Sequence, residues 1–88
     1  MKKHADFLIR QVGKRFVIVP VGEAADRFSG MLTVNDTGKF LWDLLEMDQT
    51  EESLAKALTE EYEVDFDTAL RDVKVFLEPI IKAGAIIE

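Results

Sequence analysis

The chain has 88 residues, 48% apolar and 32% charged, with 17 acidic against 11 basic side chains and a net charge of −6. That length holds one domain, residues 1–88, with a modest core and about three-fifths of the extended surface buried; five glycines and two prolines argue against disorder. The absence of cysteine excludes a disulfide framework, a thiolate zinc site and a thiol nucleophile. The opening MKKHADFLIRQV lacks a signal-peptide apolar run and nothing approaches membrane-spanning length, so a cytoplasmic protein with no membrane partner is expected.

The chain reads as strands first and helices after. Phe7–Val12 and Arg15–Pro20 are β-prone runs flanking Gly13-Lys14, a two-residue turn signal that predicts a hairpin. Pro20 ends the second strand because it has no N–H for the ladder. Residues 21–29 (VGEAADRFS) suit a loop or an irregular crossover. A third, short strand spans Gly30 to Val34, followed by Asn35 as an N-cap for a helix starting at Asp36.

On that first helix Phe40, Leu41, Leu44 and Leu45 recur at helical spacing, with Trp42 one turn from Leu45. The second helix runs from about Thr50 to Tyr62, with Leu54, Ala57, Leu58 and Tyr62 inward and Glu51 and Glu52 at the positive end of its dipole. Asp65 or Asp67 caps the third, which continues to about Ala83 before Gly84, a residue suited to a left-handed stop. Its wide apolar stripe is Leu70, Val73, Phe76, Leu77, Ile80 and Ile81. Ala85-Ile86-Ile87 closes the chain as an apolar tail or small strand. The expected fold class is α+β: an N-terminal three-stranded antiparallel sheet followed by three helices, in a winged helix-turn-helix-like arrangement.

Such an arrangement invites a DNA-binding regulator as the alternative function, and charge argues against it. Residues 1–20 carry five basic side chains and one acidic, a balance of +4; the remainder carries six basic and sixteen acidic, a balance of −10. The second helix has one Lys against four Glu and the third is neutral, whereas a helix in the major groove needs Lys and Arg to neutralise phosphates. No nucleic-acid partner is expected.

Catalysis finds less support. His4 is the lone histidine and has no second ligand or acid-base partner nearby. The alternation Glu61, Glu63, Asp65, Asp67 lacks the glycine and terminal glutamate of a calcium loop and reads as a helix end followed by a cap. No phosphate loop, nucleophile elbow or metal-spaced histidine pair occurs. No catalytic residue, metal ligand or cofactor is assigned, and the chain is expected not to be an enzyme.

Several short features, in order, resemble one family. They are Phe16 to Pro20, Val21 to Ala24, Leu32 to Asn35, Thr37-Gly38, Leu41-Trp42, Glu61-Tyr62, Val64, Asp72-Val73 and Phe76-Leu77. This pattern is similar to the D protein of pyrroloquinoline quinone biosynthesis and its relatives, which recognise ribosomally made precursor peptides. The resemblance implies a module that binds the leader of a precursor peptide and presents it to a separate modifying enzyme, a radical SAM enzyme being one candidate. It further implies that the leader adds as a strand beside Met31, Leu32, Thr33 and Val34 and packs on the third helix near Arg71, Lys74 and Val75. An edge strand offers unpaired N–H and C=O groups to such a peptide, and a neighbouring apolar groove can select its side chains.

Overall fold

In the computed structural model, which describes residues 1–28 and 30–87, the hairpin forms in the expected register. Strand β1 is Lys2–Lys3, β2 is Phe7–Val12 and β3 is Arg15–Pro20. Val12 pairs with Arg15 across Gly13-Lys14, and Gly13 takes φ 64°, a left-handed conformation that a side chain at this position would strain. A four-residue helix, α1 (Ala24–Arg27), lies within the segment expected to be a loop or crossover; Ser29 at its end lies outside the described residues. β4 is Leu32–Val34, shorter than the Gly30–Val34 expected, and pairs antiparallel with β3. The sheet order β2-β3-β4 leaves β4 at an edge.

Three longer helices follow: α2 (Asp36–Leu44), α3 (Glu51–Glu61) and α4 (Phe66–Lys82). Each starts on a side-chain cap that satisfies a backbone N–H left over by the helical pattern. Asn35 accepts from Gly38, Thr50 and Ser53 form a reciprocal capping box, and Asp65 accepts from Thr68 at 2.8 Å. α4 stops before Gly84, which takes φ 81°. β5 (Ile86–Ile87) then pairs with β1, joining the two ends in a small second sheet. The fold is thus α+β with a three-stranded antiparallel sheet, as expected, and the described residues form four helices instead of three.

The core lies between one sheet face and the helices. Phe7 and Ile18 enter it from the sheet, Leu41 and Trp42 from α2, Leu54, Ala55 and Leu58 from α3, and Ala69, Val73, Leu77 and Ile80 from α4. Trp42 is fully buried; its indole Nε1 has no hydrogen-bond partner among the described residues, and the Lys3 ammonium stands 5.4 Å from the ring centre. On α3 the inward residues are Leu54, Ala55 and Leu58, whereas Ala57 is half-buried and Tyr62 is exposed with its ring edge-on to Phe40. On α4 the stripe is narrower than its composition predicts: Leu70 and Phe76 are half-buried and Ile81 is exposed.

Candidate peptide-binding groove

A groove of about 490 Å³ runs between β4 and α4. Leu32, Thr33 and Val34 form one wall, Asp72, Val75, Phe76 and Pro79 the other, and Gly38 and Leu41 of α2 contribute to the lining. Positions 72, 75, 76 and 79 follow the three- and four-residue spacing that puts them on one helix face. The lining is mostly aliphatic and aromatic, and Asp72 is its one charged residue.

The groove depends on a close approach of three elements. Gly38 is buried at the start of α2, where an added Cβ would lie 2.9 Å from the Val34 Cβ and 3.3 Å from the Phe76 ring. Only a residue without a side chain lets α2, β4 and α4 meet there. Asn35 holds the same turn, accepting from the Gly38 N–H at 2.8 Å. On the opposite wall Pro79 has no N–H for the Val75 carbonyl four residues earlier, so this stretch of α4 lacks one regular helical hydrogen bond beside the groove.

β4 supplies the open backbone. In an antiparallel pair successive residues turn their N–H and C=O groups alternately toward and away from the neighbour. With β3 on one side, the outward groups of β4 lie either at Thr33 or at Leu32 and Val34. An extended chain laid beside this edge would also face the groove.

Four of the residues singled out from the sequence, Leu32, Thr33, Val34 and Val75, line this groove together. Met31 precedes β4 and is exposed outside the lining. Arg71 and Lys74 are exposed on α4 and also outside it. Successive α-helical residues are about 100° apart, so Arg71 flanks the exposed ridge that carries Val75, while Lys74 is turned well away from Phe76. The sequence reading does not mark Asp72, Pro79 and Gly38 as lining residues, and it places Phe76 in the apolar stripe of the third helix, most of which it assigns to the core. The Thr37-Gly38 pair was the available signal, since a glycine inside a capped amphipathic helix points to a close packing partner.

Elsewhere His4 has a local role: its Nδ1 accepts from the Asp6 backbone N–H at 2.9 Å and its ring meets Phe7 edge-on. α3 carries Lys56 among Glu51, Glu52, Glu60 and Glu61. No described helix is long and apolar enough to cross a membrane.

Residues 15–86 match the family model described as coenzyme PQQ synthesis protein D. No curated protein matches the sequence significantly. Among solved structures, the fold is similar to that described as TbiB1 in complex with the TbiA(beta) leader peptide. The TM-score is 0.74 at 22% identity, over 97% of this chain and 93% of that one. It is also similar to a lasso peptide synthetase B1 complexed with the leader peptide, with a TM-score of 0.73 at 21% identity, over 99% of this chain and 96% of the other.

Proposed function

Since this chain belongs to the coenzyme PQQ synthesis protein D family, we propose that it is a non-catalytic module that binds the leader of a ribosomally made precursor peptide and presents it to a separate modifying enzyme. The observation that carries this reading is the coincidence of an open strand edge, β4, with an apolar groove against α4. The leader adds to the sheet along Leu32 to Val34, where backbone pairing is tolerant of sequence, and alternate side chains enter the groove beside Val75, Phe76 and Pro79. Two similar folds are known as leader-peptide complexes, which favours a peptide over DNA as the occupant. The acidic surface of α3 favours it too.

Within that groove Val75 is the residue to test, being 67% exposed and therefore replaceable with little effect on folding. Val75→Glu should weaken leader affinity at least tenfold, measured by calorimetry with a synthetic precursor leader peptide. Lys74→Glu, outside the lining, should change it less than threefold. Adding the leader should slow amide exchange in β4 and α4 most. Protection confined to β2 and β3 or to α3, or product formed from the precursor by the purified chain alone, would contradict the proposal.

A further inference from the structure

The turn of the first hairpin decides which backbone groups of β4 stay open. A two-residue turn makes the residues flanking it a hydrogen-bonded pair, here Val12 and Arg15 across Gly13-Lys14, and in an antiparallel ladder such pairs recur at every second residue. Val17 with Arg10 and Val19 with Leu8 therefore bond β3 to β2. The ladder keeps this phase to its far end, where the Val21 N–H donates to the Asp6 carbonyl at 2.7 Å. The alternate residues of β3 turn their backbone groups the other way, toward β4; Pro20, which has no N–H, is of this phase and lies beyond the last β4 pair. Phe16 thus bonds Val34, and Ile18 bonds Leu32. Thr33, between them, turns both its N–H and its C=O away from β3 to the free edge.

β4 offers no second residue of this kind. Asn35, next in the same phase, has its carbonyl occupied by the Lys39 N–H at 2.9 Å and its side chain by the Gly38 N–H at 2.8 Å. Met31 lies outside the strand, after Gly30 at φ 127°. Thr33 shares its sheet face with Val17, opposite the face of Leu32, Val34 and the buried Ile18, and yet it lines the groove. What it presents there is its backbone edge.

We propose that Thr33 is the backbone anchor of the leader: one leader residue pairs with it in antiparallel fashion, donating its N–H to the Thr33 carbonyl and accepting the Thr33 N–H on its own carbonyl. This rests on the leader-binding reading above and adds the register to it. The leader residues before and after the anchored one lie opposite Leu32 and Val34, so their side chains enter the apolar groove. The anchored residue itself points its side chain to the sheet face of Thr33 and Val17, away from the groove. Antiparallel addition lets a single residue satisfy both groups of Thr33, whereas a parallel strand would need two leader residues and slanted bonds. The segment recognised is therefore short: two groove-facing apolar residues on either side of one whose side chain is free to vary.

The test uses the full chain and the synthetic leader peptide, methylated at one backbone nitrogen at a time, with affinity read by calorimetry. Methylation at the anchored residue removes the donor to Thr33 and should weaken binding at least tenfold. At the residues on either side, whose N–H groups point away from β4, the loss should be less than threefold. Sensitivity at a groove-facing residue instead would mean parallel pairing, and an even response along the peptide would mean binding through side chains alone; either rejects the anchor while leader binding stands. In the free chain the Thr33 amide should exchange at least threefold faster than those of Leu32 and Val34, and it should slow the most when leader is added. A Thr33 amide already protected in the free chain would overturn the assignment. Thr33→Pro removes the open donor alone, so it should keep the circular dichroism of the original chain and lose at least tenfold in leader affinity. Val34→Pro, which removes an N–H bonded to Phe16, should instead lower the Tm. The methylated peptides leave the chain untouched, so they decide the matter even if a proline variant does not fold. No leader affinity in the original chain would be a failure of the leader-binding reading, and the anchor would fall with it.

Discussion

The two walls of the groove are held in opposite ways. α4 is a 17-residue helix whose inward face buries Ala69, Val73, Leu77 and Ile80, and it starts on a satisfied cap. β4 has three residues, none buried, and one neighbouring strand. A wall fixed by the core can offer side chains in constant positions, and so discriminate between peptides. A wall with an unpaired backbone edge can accept many sequences, but only after an incoming strand completes it. Under the leader-binding proposal, selectivity and tolerance thus sit on different elements, and they can be perturbed separately.

The strongest disturbance is to the rigid wall. Leu77 is 2% exposed inside the core, so Leu77→Ala leaves a cavity and should cost about 2–5 kcal/mol, a large part of the stability available to a small domain. In thermal unfolding that corresponds to a fall in Tm of roughly 10 °C or more. Thr33→Ala on exposed β4 should stay within about 0.5 kcal/mol. Equal losses in the two variants would show that β4 is built into the core as firmly as α4.

A smaller change acts on the spacing between the walls. Gly38→Ala improves helix propensity by up to about 1 kcal/mol, but overpacking costs typically about 1–3 kcal/mol. Here the nearest atom is the Val34 Cβ, fixed directly to the β4 backbone, so the strand itself must move by some tenths of an ångström. Net destabilisation of about 1 kcal/mol is expected in urea unfolding, with leader affinity reduced. A stabilised variant that binds the leader normally would mean that β4 yields freely.

These contrasts also explain which parts of the fold were legible in the sequence. Gly13-Lys14 between β-prone runs, and the caps Asn35, Thr50 and Asp65, are local signals with local causes, so the hairpin and the starts of the three long helices follow from nearby residues. The β1–β5 pairing is different: two residues at each end meet only because the folded helices bring them together. α1 is a single turn with no buried residue and no side-chain cap, so neither periodicity nor capping announces it. At the groove, Leu32 to Val34 and Val75 were accessible as an edge-strand motif and an exposed apolar position. Phe76 was harder because it serves both core and groove, and Pro79 because a proline in a helix usually announces a break before it announces a lining residue.

The smallest expected effect lies at the exposed start of α4. The Thr68 backbone N–H donates to the Asp65 carboxylate and holds its pKa below the ordinary value. The unfolded chain therefore binds that proton more readily than the folded one, and the cap's ionic contribution is complete above the ordinary aspartate range near about pH 4. It fades as the pH falls through the lower folded value. Asn is as good a capping residue as Asp but carries no charge, so Asp65→Asn isolates the ionic part. Its Tm should lie slightly below that of the original chain at pH 7, and the gap should close in acid. Asp65→Ala, which removes the acceptor altogether, should remain the less stable at both ends. Asp72, the first groove residue on α4, lies almost two turns beyond the cap, and the core holds the helix between them through Ala69. Leader affinity at pH 7 should then be nearly the same in Asp65→Asn as in the original chain. A large drop would show that the rigid wall depends on its cap instead of on its buried face.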